Sequence, residues 1–331
     1  MKFGPVPLKD AEGAVLAHSV ALRKGRLRKG RVLDADDIAA LAEAELREIT
    51  VARLEAGDVS ENDAAAALAK AVLGDGQGLD VTAPFTGRVN LLGQGPGVVQ
   101  LDVAALEAVN AVDPMITIAT VPQFGQLARG GMAATIKIIS YAVPGVALQR
   151  AISAAGRGAI ALARPSLRTA TLIISEIPGG AGDKGRKAIA DRLAALDVDL
   201  EAVVMVPHET PALAAAIDAV QSDLALVLTG SATSDPQDVA PSALRAAGGQ
   251  VERFGMPVDP GNLLFIGDLH GRPVIGLPGC ARAPALNGAD WVLSRVLCGV
   301  PVRARDIAGM GVGGLLKEIP SRPQPRRGRS T

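Results

Sequence analysis

Hydrophobic and polar positions alternate regularly between strand and helix patterns in the second half of the chain. Short apolar runs rich in β-branched residues are separated by stretches with helical periodicity. The predicted strands and helices, in chain order, lie at 170–175, 184–196, 202–206, 211–220, 224–229 and 240–247. A hairpin over 263–277 and a helix over 284–297 follow. Alternation of this kind predicts an α/β domain with a mostly parallel sheet and right-handed crossovers.

The first half of the chain has shorter and less regular patterns. Apolar residues Ile38, Leu41 and Leu46 predict a helix over 36–46, which Asp34 or Asp36 could cap. Further β-type runs and one more helical stretch follow this helix. The predicted strands lie at 48–53, 87–92, 97–101 and 135–139, and the predicted helix begins near residue 145 and ends near residue 163. The first half is therefore a mixed α+β, β-rich region.

These patterns divide the chain into five predicted segments, with a turn-rich hinge at 73–78. They are a mixed α/β N-terminal region at 1–78, a β-rich lobe at 79–143, a linker helix at 144–167, an α/β domain at 168–315 and a disordered tail at 316–331. The tail is basic and rich in proline and glycine, so it can bury little apolar surface.

Composition and charge exclude several classes of protein. Aromatic residues make up only 2% of the 331 residues, which argues against the stacking platforms of single-stranded nucleic-acid binders. Lys plus Arg and Asp plus Glu both count 34, so no overall field attracts DNA or an anionic membrane. No signal-peptide pattern or membrane-length apolar run occurs, and we expect a cytoplasmic protein. The two cysteines, Cys280 and Cys298, show no zinc-site spacing.

Small polar residues follow the buried run 224–229. Gly230, Ser231, Thr233 and Ser234 form a turn whose amides and hydroxyls could hold a phosphate or another oxyanion. Asp238 comes just before the next predicted helix, so it is either part of that site or simply the cap of the helix.

A second polar loop follows the strand that ends at Leu277. It contains Pro278, Gly279, Cys280 and Arg282, and an arginine is suited to bidentate contact with a phosphate. Cys280 is either a reactive thiolate beside Arg282 or a buried side chain that fills space. Ligands of open α/β sheets bind beyond the carboxyl ends of the strands, so the two loops are expected to face each other across a crevice.

Other candidate residues are less specific. Asp259 lies in a turn and is either a turn-forming residue or a ligand contact. Glu176 opens a glycine-rich loop that leads into a helix with cations at its start, which an anionic ligand would favour. The histidines His18, His208 and His270 show no metal or triad spacing.

With these motifs in view, residues 168–300 resemble the molybdopterin-binding domain shared by molybdopterin adenylyltransferases and molybdopterin molybdotransferases. The stretch 226–238 resembles the family's Gly-rich loop with its terminal Asp, and 258–261 resembles its Pro-Gly-Lys-Pro turn. The stretch 271–279, Gly-Arg-Pro-Val-Ile-Gly-Leu-Pro-Gly, resembles the most specific family signature. The early segments 7–17 and 24–53 also resemble parts of the molybdotransferases, and the chain is interpreted as a divergent, molybdotransferase-like protein.

The resemblance implies a Rossmann-like domain and a set of site residues. The residues that it places around the pterin phosphate or nucleotide are Thr229, Gly230, Ser231, Thr233, Ser234, Pro278, Gly279, Cys280, Arg282 and Glu176. Asp238 would bind Mg²⁺ or molybdate, and Asp238 and Asp259 would be the catalytic residues. The chain departs from the family pattern at Ser231, at Asn262 and at Cys280 with the following Ala281.

The implied function is molybdenum cofactor biosynthesis, with molybdopterin bound in apo, adenylylated or metal-loaded form and metal inserted or transferred. One alternative is a non-catalytic carrier of the molybdenum cofactor, and another is a nucleotide pyrophosphate hydrolase. The resemblance also implies a homodimer, and a molybdenum enzyme or another cofactor-biosynthesis protein as partner.

Overall fold

The computed structural model describes residues 1–75 and 78–316. Contacts divide the described residues into two compact units, one of residues 1–75, 78–95 and 99–162, the other of residues 96–98 and 163–316. Residues 76–77 of the expected hinge and residues 317–331 of the expected tail lie outside the described residues. In the part of the chain that is described, no helix combines the length and apolar character needed to cross a bilayer.

The first half of the chain consists of short strands and four helices within its described residues. The strands are β1 (Lys2–Pro7), β2 (Val15–Leu16), β3 (Val20–Ala21), β4 (Arg26–Leu27), β5 (Glu48–Arg53), β6 (Asp58–Ser60), β7 (Leu79–Val81), β8 (Arg88–Gly93), β9 (Gly97–Leu101), β10 (Ile116–Thr120), β11 (Gln126–Leu127), β12 (Met132–Ile138), β13 (Ala142–Pro144) and β14 (Ile160–Ala163). The helices are α1 (Ala35–Glu43), α2 (Glu61–Leu73), α3 (Val103–Asn110) and α4 (Gly145–Ala155). The β-rich character expected of this half is confirmed.

Helix boundaries in the first half follow local capping. Asp34 caps α1 through a capping box with Asp37, so the helix begins one residue earlier than the sequence pattern indicates. The helix expected over 145–163 is wrong in its second half. Gly156, at φ 66°, ends α4, and residues 160–163 form β14 instead.

Helix α2 was missed because its core-facing positions are largely alanines. Ala64, Ala65 and Ala69 are fully buried, with Leu68 and Val72, and the helix packs against β8 and β12. Alanine is a strong helix former but gives a weak hydrophobic pattern, so the sequence carries little periodic signal here.

In the described part of the second unit, six strands form one sheet. The strands are β15 (Thr169–Glu176), β16 (Asp199–Pro207), β17 (Leu224–Leu228), β18 (Gln250–Phe254), β19 (Phe265–Leu269) and β20 (Arg272–Leu277), and the helices are α5 (Arg186–Ala194), α6 (Thr210–Asp218), α7 (Val239–Ala246), α8 (Gly288–Leu297) and α9 (Ala304–Ala308). The strand order is β16-β15-β17-β20-β19-β18. Neighbours from β16 to β20 are parallel, and β19 is antiparallel to both of its neighbours. The expected mostly parallel α/β sheet is confirmed.

Both faces of this sheet are buried, as a parallel sheet requires. On one face Ile173, Val227 and Val274 form a core cluster with apolar residues of α6 and α7. On the opposite face Leu172 and Leu226 are fully buried as well. The polar ends of the strands are therefore where this unit can offer chemical groups to a ligand.

Gly276 of β20 is needed for the packing of this sheet. It pairs with Phe265 of β19, and an added Cβ would lie only 1.9 Å from the Phe265 ring, which is 1% exposed. We expect Gly276→Ala to lower the free energy of unfolding by about 1–3 kcal/mol through overpacking, as measured by urea denaturation. Gly309→Ala is the matched control, because nothing lies within 4 Å of its added Cβ. Equal stability of the two variants would contradict the packing argument.

Candidate ligand-binding site

The connections that leave the carboxyl ends of neighbouring strands meet at one edge of the sheet. β15 comes first in the chain and lies centrally, with β16 on one side and β17 on the other. This arrangement is a topological switch point, where the loops after adjacent strands diverge and leave a crevice. The loops after β15, β17 and β20 and His208 after β16 therefore share an edge.

The loop after β17 presents backbone donors without internal partners. The amides of Ser231, Ala232 and Thr233 make no hydrogen bond within the part of the chain that the structure describes. Thr229 and Thr233 are buried, and their hydroxyl oxygens lie 3.3 Å apart. Successive amides without partners are typical of a concave anion site, so this loop has the chemistry expected from its sequence.

Asp238 caps α7 and also shapes the loop before it. Its Oδ1 accepts from the Val239 amide at 2.7 Å and its Oδ2 accepts from the Ser234 amide at 3.0 Å. The Ser234 amide lowers the pKa of the Asp238 carboxyl, and the Val239 amide and the charge of His208 lower it further, against partial burial. The structure thus gives Asp238 the capping role, while its role toward a ligand stays a prediction.

Arg282 joins the two loops that the sequence singles out. Its guanidinium donates to the Thr229 carbonyl at 3.0 Å, and to the carbonyls of Gly182 (3.3 Å) and Lys184 (2.5 Å) in the loop after β15. Partial burial lowers the pKa of this guanidinium, which nevertheless stays a cation in proteins. Three of its five N–H groups have an acceptor among the residues that the structure describes, so two donors are left for a ligand.

Glycines permit these close approaches. An added Cβ on Gly230 would lie 2.7 Å from the Ser175 carbonyl oxygen, which no side-chain movement could relieve. Gly185 has φ +104°, and an added Cβ would lie 2.8 Å from the Cα of Arg282. The loops after β15, β17 and β20 therefore contact one another through their backbones.

Arg192 of α5 fixes the loop after β20. Its five N–H groups are all used: Nε donates to Asp290 at 2.5 Å, and the terminal nitrogens donate to four carbonyls. Those carbonyls belong to Ala188, Ala281, Ala283 and Ala285. Side chains of Arg192 and Asp290 are 11% and 16% exposed, so the pair is shielded from water.

The remaining predicted site residues lie at varied distances from this crevice. Pro278 is buried, Gly279 is exposed with nothing within 4 Å of an added Cβ, and Cys280 is half-buried. Glu176 is exposed at the end of β15. Asp259 follows β18, which β19 and β20 separate from β17, and its backbone pairs with that of Gly314 and Leu316. Asp259 therefore follows the outermost strand of the sheet, and its catalytic role stays a prediction.

Three residues of this edge were missed by sequence reasoning. Ser175 is 1% exposed at the end of β15, and its Oγ lies 2.8 Å from Nδ1 of His208. His208 directly follows β16, and Arg192 lies inside a helix. The other loops were identified by polar residues at the carboxyl ends of predicted strands. The same criterion, applied to every predicted strand, identifies Ser175 and His208.

A comparison with family models shows which known domain this part of the chain is similar to. Residues 169–297 match the model described as "Probable molybdopterin binding domain". This segment is similar to the molybdopterin-binding domain family, and it is called the molybdopterin-binding domain below. The match includes every strand of the described six-stranded sheet and the loops after β15, β17 and β20. It supports a role in molybdenum cofactor biosynthesis and a molybdopterin-related ligand.

Outside the molybdopterin-binding domain, the matches carry less information about function. Residues 5–53 match a family described as a domain of unknown function (DUF8806). No curated protein matches the chain. Among solved structures, the molybdopterin biosynthesis moea protein from Pyrococcus horikosii is similar over 94% of this chain and 76% of its own, at 14% identity and a TM-score of 0.29. A TM-score this low does not establish a shared fold for the whole chain.

The donor set for a metal ion is limited at the edge of the molybdopterin-binding domain. Nowhere in residues 1–75 and 78–316 do three or more His, Cys, Asp or Glu side chains gather as they would around a metal ion. Mg²⁺ is often held by one or two carboxylates together with phosphate oxygens and water. Asp238, anionic at neutral pH, fits that pattern only when a phosphorylated ligand is bound beside it.

Proposed function

We propose that the molybdopterin-binding domain binds molybdopterin by its terminal phosphate at the carboxyl edge of β15, β17 and β20, for insertion or transfer of metal. One observation carries the proposal: the three consecutive amides of Ser231, Ala232 and Thr233 lack partners among the described residues, in a loop that Arg282 holds to its neighbours. Preorganised amides of this kind bind an anion without the cost of ordering the loop.

The phosphate contacts follow from the donors at hand. The amides of residues 231–233 would donate to phosphate oxygens, and the two remaining N–H groups of Arg282 would add charge-assisted hydrogen bonds. Thr229 and Thr233 supply hydroxyls at the base of the loop. Gly279 offers open space at the end of β20 for the ligand body.

Asp238 would position the metal in this proposal. Its carboxylate oxygens each keep a lone pair after accepting one amide, so Asp238 can contribute one oxygen to Mg²⁺ together with the phosphate. A bound Mg²⁺ would neutralise phosphate charge. Molybdate would be the substrate, brought to the pterin at the same edge.

Binding of molybdopterin tests the proposal. We expect Gly279→Ala to fold normally, because nothing lies within 4 Å of the added Cβ and its φ is not in the left-handed region. The methyl group would, however, occupy space that the ligand uses. We expect the affinity for molybdopterin, measured anaerobically by isothermal titration calorimetry, to fall about tenfold or more, as for other steric losses in binding.

Gly309→Ala is the control, since its added Cβ also meets nothing within 4 Å, and Gly309 follows α9 instead of β20. Its affinity should equal that of the wild type. Wild-type protein that releases no heat with molybdopterin would overturn the proposed function.

A carrier of the molybdenum cofactor is the second candidate, and the geometry of Asp238 favours it. Both oxygens of this carboxylate already accept backbone amides, which is a structural task. Mixing the protein with adenylylated molybdopterin and molybdate separates the two functions. Release of AMP supports metal insertion, and retention of the ligand without release supports the carrier.

A further inference from the structure

A polar network joins the carboxyl ends of β16, β15 and β17. Ser175 Oγ accepts a hydrogen bond from the Gly230 amide at 3.3 Å, and it lies 2.8 Å from Nδ1 of His208. The His208 amide also donates to the Glu176 carbonyl at 2.9 Å, which fixes the backbone of His208 against β15. This network spans the switch point, yet the phosphate contacts described above do not use it.

The hydrogen bonds of Ser175 indicate which nitrogen of the His208 imidazole carries the proton. Ser175 is 1% exposed, and its hydroxyl proton has no acceptor in the described residues other than Nδ1 of His208. If Nδ1 carried the proton, the Ser175 hydroxyl would accept twice and its own proton would be buried without a partner, which is costly. The arrangement therefore favours Ser175 as donor to Nδ1, with the imidazole proton on Nε2.

The opposite nitrogen of His208, Nε2, is left for another partner by the contact of Nδ1 with Ser175. Within residues 1–75 and 78–316, Nε2 has no protein hydrogen-bond partner, and the side chain is half-buried. His208 directly follows β16 and Asp238 ends the loop after β17, so both residues lie at the carboxyl edge of the sheet. The Gly230 amide, one residue before the unpartnered amides, bonds to the same Ser175 oxygen as His208 does.

We propose that His208 recognises the terminal phosphate of the bound ligand by donating from Nε2–H to a phosphate oxygen, with Ser175 as the positioning residue. This inference rests on the proposed function and names a specificity residue for it. The amides of residues 231–233, which follow β17, and the imidazole of His208, which follows β16, would both donate hydrogen bonds to the phosphate. A dephosphorylated pterin would lose the His208 contact together with the other contacts to the phosphate, and would keep only the contacts to its body.

Two substitutions at position 208 distinguish the effect of losing the Nε2–H donor from the effect of losing the hydrogen bond to Ser175. His208→Asn places an amide oxygen near the position of Nδ1, which can still accept from Ser175, and it removes the donor at Nε2. His208→Gln can place an amide donor near the position of Nε2. We expect His208→Asn to bind molybdopterin about tenfold more weakly, and His208→Gln to recover part of that loss.

Comparing a phosphorylated with a dephosphorylated ligand makes the measurement specific for the contact with the phosphate. Affinities are measured by calorimetry for molybdopterin and for molybdopterin dephosphorylated by a phosphatase, with His270→Asn as control, since His270 is an exposed residue in the turn between β19 and β20. His208→Asn should change only the affinity for the phosphorylated ligand. Equal losses for both ligands, or no loss for either, would overturn the role of His208. Wild-type protein that binds neither ligand would overturn the proposed function itself, and the His208 contact with it.

The tautomer is measured without any ligand. In ¹⁵N-labelled protein, long-range ¹H–¹⁵N spectra distinguish the two neutral tautomers, and His208→Asn identifies the signal among the three histidines. We expect the Nε2–H tautomer in the wild type and a weaker preference in Ser175→Ala. A wild-type signal of the Nδ1–H form would overturn the proposal, because Nε2 would then have no proton to donate.

Discussion

Replacing Arg192 with leucine is expected to lower the free energy of unfolding of the second unit by about 3–5 kcal/mol, the cost typical of removing one partner from a shielded ion pair. The substitution leaves Asp290 without its partner and removes the donor from four carbonyls. The melting temperature should fall by about 10 °C in calorimetry. Arg192→Lys should recover only part of this loss, because a lysine cannot reach five acceptors in one plane.

Arg186→Leu is the matched control. Arg186 lies on the same helix, is exposed and makes no ion pair among the described residues. Its melting temperature should stay within about 1 °C of the wild type, as expected for an exposed position. If both leucine variants melt together, Arg192 does not hold the loop after β20.

Asp238→Asn is expected to abolish metal insertion while leaving the fold intact. Asparagine is as good a helix cap as aspartate, so α7 keeps its start. The charge that would position Mg²⁺ is lost, and one oxygen that accepts from Ser234 becomes an amide donor. We expect release of AMP from adenylylated molybdopterin in the presence of molybdate to slow by about 100-fold or more, the scale of losing one electrostatic contact in a reaction.

The neighbouring Asp235→Asn is the control for Asp238→Asn, because Asp235 is exposed and, within the described part of the chain, its carboxylate accepts from the Gln237 amide alone. Its rate should be close to that of the wild type. A wild-type rate in Asp238→Asn would remove Asp238 from the reaction and favour the carrier.

The lowered pKa of the Asp238 carboxyl makes the stability of the folded protein depend on pH. Its carboxylate is bonded in the folded state, so its contribution to stability is present above the unfolded pKa of about 3.9 and is lost as the pH falls through the lower folded value. As the pH falls below about 4, the difference in stability between the wild type and Asp238→Asn should therefore shrink.

The second unit could be predicted from sequence because its signals are local. Each parallel strand contains a short apolar run, and the helices between them alternate with these runs, so the order of most elements and the loop after β17 followed directly. The strand over 250–254 was missed because Glu252 and Arg253 interrupt it. Its pairing with β19 depends on the antiparallel hairpin that folds back beside it.

The contacts within the candidate site could not be predicted in the same way. Arg282 was expected to contact a phosphate, but its carbonyl partners lie some 50 and 100 positions away in the chain. Likewise, the bond between Ser175 and His208 requires that β15 and β16 be parallel and in register. Sequence patterns identify which residues reach the edge, and tertiary packing decides which of them touch.

The bridge that Arg282 makes has a consequence for the working range of the site. Carbonyl oxygens carry no proton to gain or lose in water, and a guanidinium keeps its charge up to strongly alkaline conditions. The spacing between the turns after β15 and β17 should therefore be insensitive to acidity and to added salt, so that any such sensitivity in ligand uptake reports on the ligand and its immediate contacts.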